Sequence, residues 1–406
     1  MTSTETILAR ATDPRFTRPR ILVLEADTGR SLLERAADRG EETASVMKTI
    51  TCAAALHELG PDRRIETRVV RGSAPGEIVI IGGGDVTLSR VPGDGPTYYD
   101  SPARMDVLAR DTLAALGDEV PTRLVYDDSL FAGGEWLTGQ WLDEDRNPEG
   151  YIPMISSLQA DGDREDPAAD DSPRSADPAG NAARAFAAFL GDDIQVVRGS
   201  APADAEELAV AKSHTIEELV RECLRTSDNG LAEALAKLAV IERGEDGTFD
   251  GVKRGLTGVL RDLGVPTEGV ELQDGSGLSD YIKVPARTIA DLIRRARLRE
   301  GILGMLDDRL SRTGPNGTMY SARFTGENAV VGDAVRGKTG FINSVHSLAG
   351  VVRTVGGADL VYAVFAMGED MSPEHPSRVA IDDFVTSLHL HGDALLTHGE
   401  TILLDD

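Results

Sequence analysis

Residues 45–61 read Ser45-Val46-Met47-Lys48-Thr49-Ile50-Thr51-Cys52-Ala53-Ala54-Ala55-Leu56-His57-Glu58-Leu59-Gly60-Pro61. Lys48 is the only formal charge before Glu58, and a helix that is apolar on nearly every side belongs inside a protein. Gly60-Pro61 is a helix stop. Ser45 and Lys48 stand three residues apart, one turn along the same face, so the amine reaches the hydroxyl. Ala44, Val46, Met47 and Ile50 surround that amine. Such desolvation lowers a lysine pKa and makes the neutral amine a base toward the serine. A surface serine beside a snorkelling lysine gives the same four-residue pattern, and the rest of the chain has to decide between them.

Working outward, Pro19 to Asp27 reads as a buried strand, Asp27-Thr28-Gly29 as a tight turn and Ser31 to Ala36 as the hairpin partner. Far downstream lies a meander: Ala334 to Ile342, Ser347 to Thr354, a Gly356-Gly357 turn and Asp359 to Met367, closed by a helix from Pro376 to Leu390. The expected architecture is α/β (α+β): a five-stranded antiparallel sheet flanked by helices, with a helical subdomain. Two helices, Thr215 to Leu224 and Leu231 to Glu242, are joined by Thr226-Ser227-Asp228-Asn229-Gly230, a run of turn and capping residues.

Between these parts the texture changes to short strands (Thr67 to Arg71, Glu77 to Ile81, Arg123 to Tyr126, Ile194 to Arg198) with helices from Pro102 to Leu116 and Asn181 to Leu190. Residues 63–211 are therefore expected to form a strand-rich inserted domain, leaving a discontinuous catalytic domain of 1–62 and 212–406. Asp161 to Pro178 holds seven acidic residues and three prolines and reads as a solvated, mobile loop.

The 406 residues include 42 Lys+Arg against 68 Asp+Glu, a net charge of -26, which would repel nucleic acid and anionic lipid. No window offers the run of about 18 apolar residues that a membrane-spanning helix requires. Charges at Glu5, Arg10, Asp13, Arg15, Arg18 and Arg20 are unlike a signal peptide. The two cysteines, Cys52 and Cys223, are expected as buried free thiols, since a bond requires their helices to touch.

Two further motifs bear on chemistry. Ser227-Asp228-Asn229 can present a hydroxyl and a carboxamide to a cleft while the aspartate caps the next helix, though an N-cap turn alone would explain it. Lys338-Thr339-Gly340 puts a cation and a hydroxyl in a strand, where they can hold a carboxylate and the glycine admits close approach. An edge-strand lysine that discourages aggregation is its bland alternative. Gly82-Gly83-Gly84-Asp85 lacks the Lys-Ser/Thr of a phosphate loop, and no G-x-S-x-G occurs. No cofactor is called for, and a metal site at His389, His391 and Asp393 is not expected.

S-x-x-K, S-x-N and K-[ST]-G each occur once, in this order, on a helix, a loop and a strand. In this the chain resembles the penicillin-recognising serine enzymes, and within them the D-alanyl-D-alanine carboxypeptidase/endopeptidases, the class C low-molecular-mass penicillin-binding proteins. The similarity extends through Asp27-Thr28-Gly29, Leu59-Gly60-Pro61-Asp62, Gly82 to Leu88, Ser227 to Glu233, Asp274-Gly275-Ser276-Gly277-Leu278-Ser279, Gly337 to Gly340 and Ser347-Leu348-Ala349-Gly350. The resemblance implies that Ser45 attacks the bond between two D-alanines and Lys48 takes its proton. Ser227 relays it, and Asn229 binds the substrate amide. Lys338 and Thr339 hold the terminal carboxylate, and the backbone N–H groups of Ser45 and Phe341, beside Gly340, form the oxyanion hole. Peptidoglycan stem peptides are the implied substrates and β-lactam antibiotics the implied inhibitors, at an extracellular or periplasmic site in the cell envelope after removal of an export signal. A β-lactamase or esterase on the same core, and a non-catalytic penicillin sensor, stay open beside it.

The chain departs from the family pattern at Asp280, where an arginine is usual, and at Phe341, where a small or hydroxyl residue is commoner. Asp280 points to a different or amidated stem-peptide side chain, and the insertion is shorter than in larger members.

Overall fold

The computed structural model describes residues 2–131, 135–315, 317, 319, 323–369 and 371–405. The chain divides into two compact units: residues 1–57, 223–227 and 253–406, and residues 58–222 and 228–252.

In the first unit the opening hairpin supplies β1 (Pro19–Glu25) and β2 (Ser31–Arg35). Later segments supply β3 (Ser311–Arg312), β4 (Val335–Ile342), β5 (Val345–Arg353), β6 (Asp359–Met367) and β7 (Ile402–Leu403). They form one sheet in the order β3-β4-β5-β6-β1-β2-β7. The five long strands pair antiparallel, as expected, and the two-residue strands β3 and β7 extend the edges, β7 running parallel to β2. First and last portions of the chain meet where β1 pairs with β6, Ile21 opposite Val364. Both strands are apolar nearly throughout because both faces are covered.

On one face, Ile21, Val23, Val335, Leu348, Tyr362 and Val364 pack with Ile7, Ile381, Phe384 and Leu388 from the helices Ser3–Ala11 and Ser377–His391. The helix Ala286–Arg297, whose Ile289, Leu292 and Ile293 are buried, packs on β1, β5 and β6. The period of two along β4 sends Val335, Gly337, Thr339 and Phe341 to the first face, and Lys338 and Gly340 to the opposite one.

The second unit carries a five-stranded sheet, in spatial order Gln195–Arg198, Arg123–Asp127, Glu77–Ile81, Arg64–Arg71, Glu207–Thr215. Its first two pairings are parallel, and parallel neighbours require crossovers. The helices Met105–Leu116 and Pro178–Leu190 are those crossovers, and Met105, Leu108, Phe186 and Leu190 share a core with Val69, Ile78, Ile80 and Leu124.

Two features of this unit differ from the sequence expectation. Glu207–Thr215 is a nine-residue edge strand of the sheet, pairing with Arg64–Arg71, although its alternation with Lys212 and His214 hides it. The segment 161–178 is solvated only in part: Glu165, Asp166, Asp170, Asp171 and Asp177 are exposed, but Asp161, Asp163, Arg164, Ser172 and Arg174 are buried. The two buried carboxylates are satisfied internally, Asp161 accepting from the Arg90 backbone and guanidinium and Asp163 from Ser175 and Asn181. Composition counts charges without their partners, and here the partners lie elsewhere in the unit.

Candidate active site

Ser45 does not open the long helix directly. It lies in a 3-10 turn, Ala44–Met47, that leads into the helix Lys48–Leu59. Ala44, just before it, has φ 44°, a left-handed conformation that a non-glycine residue adopts only when its surroundings enforce it. The surroundings are visible: Ser347 Oγ on β5 donates to the Thr43 carbonyl at 2.7 Å. Gly277, with φ 85°, fits so closely that a Cβ there would strike the Ala44 carbonyl.

Lys48 is fully buried, and its Nζ donates to Ser45 Oγ at 2.8 Å and to the Ser276 carbonyl at 2.8 Å. The loop 274–279 is built for that second contact. Asp274, fully buried, accepts from the N–H groups of Gly277 and Ser279, both at 2.8 Å, and Thr51 Oγ1 donates to the Gly275 carbonyl at 2.6 Å. This supporting loop had no assigned role in the sequence reading, although two glycines flanking a serine signal a tight backbone approach.

Lys338 on β4 is 2 % exposed, and its Nζ donates to Ser227 Oγ at 2.9 Å and to the Thr339 carbonyl at 2.8 Å. Ser227 has φ 63°, a second strained non-glycine residue at the site. Burial, and next the nearby charge of Lys48, bring the Lys338 ammonium down to about 7. Among the described residues Lys338 makes no ion pair, so its charge is opposed by hydroxyl and carbonyl dipoles alone. Gly340 explains itself in the same place: a Cβ would lie 2.8 Å from the Thr43 carbonyl and 3.0 Å from the Ser45 nitrogen, and would collide with Ser347 Oγ. Strand β4 thus passes against the backbone of the nucleophile turn, which only a residue without a side chain permits.

Ser45, Ser227, Thr339, Gly340 and Phe341 line one cavity of about 340 Å³. Seven of the eight residues singled out from sequence therefore come together in the first unit. Asn229 belongs to the second unit, where it is the first residue of the helix Asn229–Glu242 and its Nδ2 donates to the Tyr151 carbonyl at 3.1 Å. Asp228 caps this helix, accepting from the Leu231 N–H at 2.6 Å. Arg164 holds the carboxylate at 2.7 Å, both side chains being almost fully buried, and Tyr99 Oη donates to it at 3.1 Å. Burial alone would push the Asp228 carboxyl up, but the charges of Arg164 and Arg174 hold it below the usual range. The Arg164 guanidinium also stacks 3.8 Å above the Tyr98 ring. Sequence reasoning missed Arg164 because it sits in the segment taken for a solvated loop.

The cysteines lie behind the lysines. Cys52 and Cys223 are free and fully buried, with their thiols in hydrogen-bond contact. Burial pushes the Cys52 thiol well above its ordinary value. Asp280 is exposed, and Ser344 Oγ donates to it at 3.2 Å.

A serine and a buried lysine on a helix turn, a second serine on a strained turn and a lysine on the adjoining strand define a penicillin-recognising serine enzyme. The D-Ala-D-Ala carboxypeptidase 3 (S13) family matches residues 4–171 and 168–388. A carboxypeptidase DacB of Mycolicibacterium smegmatis is 34% identical over 376 residues, covering 91% of this chain and 80% of that protein. A carboxypeptidase of Mycobacterium tuberculosis is 32% identical over 388 residues, covering 94% and 82%. Among solved structures, penicillin-binding protein 4 of Haemophilus influenzae superposes with a TM-score of 0.76 at 16% identity, over 97% of this chain and 99% of that one, and has also been solved with a β-lactam. The chain belongs to the D-Ala-D-Ala carboxypeptidase 3 (S13) family. It is a serine D-Ala-D-Ala carboxypeptidase, a hydrolase.

Proposed function

We propose that Ser45 is the nucleophile, activated by Lys48, and that the reaction proceeds through an acyl-enzyme on stem peptides of peptidoglycan. The observation that carries this reading is the pair of short hydrogen bonds Lys48 Nζ to Ser45 Oγ and Lys338 Nζ to Ser227 Oγ, both on buried amines. Ser45 Oγ attacks the carbonyl of the penultimate D-alanine while Lys48 accepts its proton. The tetrahedral oxyanion forms against the N–H groups of Ser45 and Phe341, which the close approach at Gly340 supports. Ser227 passes a proton to the leaving amine, and the C–N bond breaks. Lys338 and Thr339 hold the terminal carboxylate by charge-assisted hydrogen bonds, and Asn229 binds the substrate amide. Water then cleaves the ester on Ser45.

The inserted segment 63–211 serves as a domain set into a catalytic domain of 1–62 and 212–406, a division by chemistry, although contacts group 58–62, 212–222 and 228–252 with the insertion. The same serine accepts β-lactams as slow acylating inhibitors, and cross-links ending on a D-centre are further substrates, making the enzyme also an endopeptidase. Such substrates place it in the cell envelope, outside the cytoplasmic membrane. Among the described residues no helix is long and apolar enough to cross a membrane. D-alanine release from a diacyl peptide ending in D-Ala-D-Ala tests the assignment. Release by the wild type and none by Ser45→Ala is the expected result, and release by both proteins would refute it.

A further inference from the structure

The second unit holds a cavity for which the reaction has no use. Its volume is about 440 Å³, within the range of small-molecule sites, and it lies where the segment 160–175 meets the start of the helix Pro178–Leu190. Two of the three arginines on its wall are answered. Arg90 Nη1 donates to Asp161 at 3.2 Å, and Arg164 Nη2 to Asp228 at 2.7 Å. Arg174, 4 % exposed, forms no ion pair among the described residues. Its Nε donates to the Ser172 carbonyl at 2.8 Å and its Nη1 to the Gly162 carbonyl, while Nη2, which water can reach, makes no hydrogen bond among the described residues. Burial, and next the charge of Arg164, hold this guanidinium below its ordinary value. The carboxylate that acts on it most, Asp228, is already bonded to Arg164.

Asp163 is the matching case of the opposite sign. It lines the same cavity, is 7 % exposed and makes no ion pair among the described residues. It accepts from the Ser175 N–H and Oγ, both at 2.8 Å, and from Asn181 Nδ2 at 3.3 Å. These neutral donors satisfy its oxygens but supply no counter-charge, and burial raises its carboxyl above the usual range. Glu165, the other carboxylate on the wall, is exposed to solvent. One cavity thus carries a buried cation and a buried anion that are not bonded to each other, and each is costly while unpaired. A simple anion or a simple cation would answer one and leave the other. A molecule bearing both charges answers both, and Ala160, Pro178 and Ala182 offer a short side chain an apolar wall.

We propose that this cavity binds a free amino acid in its zwitterionic form, with the carboxylate on Arg174 and the ammonium on Asp163. The class includes the D-alanine that a D-Ala-D-Ala carboxypeptidase releases, so the enzyme itself supplies a ligand of this kind. No bond is made or broken at the site. Arg164, on the same wall, holds Asp228, the cap of the helix that begins at Asn229, so the bound amino acid adjoins the scaffold of the second motif.

The test is calorimetric titration of the full chain after acylation by benzylpenicillin, which fills the catalytic cavity and leaves this one open. The probes are D-alanine, L-alanine, propionate and ethylammonium, the last two carrying one charge each. D-alanine should bind one to one and at least about 10-fold more tightly than either singly charged probe, the scale of losing one charge-assisted contact. Arg174→Gln and Asp163→Asn should each weaken D-alanine binding at least about 10-fold, and acylation of the variant by benzylpenicillin shows that it folds. Should either variant fail to fold, the ratios among the four probes on the wild type decide the matter. A preference for D-alanine over L-alanine would make the released product the ligand, and equal binding would admit free amino acids at large; both uphold the zwitterion site. Absence of binding by either alanine, propionate or ethylammonium binding as tightly as D-alanine, or an affinity unchanged in the folded variants would overturn it. So would D-alanine binding that disappears on acylation, since the catalytic cavity would then be its site.

Discussion

Two clusters of buried charge each engage one residue of the second motif, and they are built on opposite rules. Around Asp228 the carboxylate is answered: Arg164 pairs with it, Tyr99 donates to it, and Tyr98 covers the Arg164 guanidinium. Around Lys338 the ammonium meets only the Ser227 hydroxyl and the Thr339 carbonyl, with the charge of Lys48 nearby. Burying a charge is costly unless it is paired, so the first arrangement is a scaffold and the second stores an unmet demand for an anion. In the mechanism we propose, the substrate carboxylate meets that demand.

The comparison breaks first at the nucleophile. Ser45→Ala should lower D-alanine release by at least about 10⁴-fold, because residues that act as a unit fail together. Lys338→Gln should cost on the order of 10²-fold in kcat/KM for a carboxylate-ended substrate, the scale for removing one partner of a buried charged contact. If Lys338 only supports the fold, a neutral ester substrate would suffer equally. On the scaffold side, Arg164→Ala leaves Asp228 buried and unanswered and should destabilise the protein by about 3–5 kcal/mol. A urea midpoint unchanged from wild type would contradict that.

Smaller in size is the effect of pH. Lys338, brought down to about 7, is an ammonium below that value and a neutral amine above it. The kcat/KM for a carboxylate-ended peptide should therefore fall as pH rises through about 7. A neutral ester should lack this limb, and a flat profile for both would argue against Lys338 as the carboxylate's partner. The least perturbing test is the thiols. Cys52 and Cys223 are fully buried, and Cys52 is held in its thiol form, so a thiol reagent should titrate neither until the protein unfolds. Rapid labelling of the folded enzyme would be inconsistent with their burial.

Why some of this was legible in sequence and some was not has physical reasons. The meander and the opening hairpin are apolar runs bounded by turn residues, and their pairing follows from period and order. Ser45 and Lys48 were legible because helical spacing alone brings them together, and Lys338 because a lysine is out of place in a buried strand. The 3-10 turn at Ala44–Met47 and the left-handed Ala44 and Ser227 were not, since neighbours distant in sequence impose them. Arg164 was hidden by the acidity of its own loop, most of which is exposed while Arg164 itself is buried against Asp228.

The central claim is that Ser45, beside the buried Lys48, carries the acyl group. Peptide mapping by mass spectrometry after brief exposure to benzylpenicillin tests it most directly. The account requires one penicilloyl adduct, on the peptide containing Ser45, and no adduct in Ser45→Ala. An adduct on any other residue of the wild type, or one retained by Ser45→Ala, would contradict it.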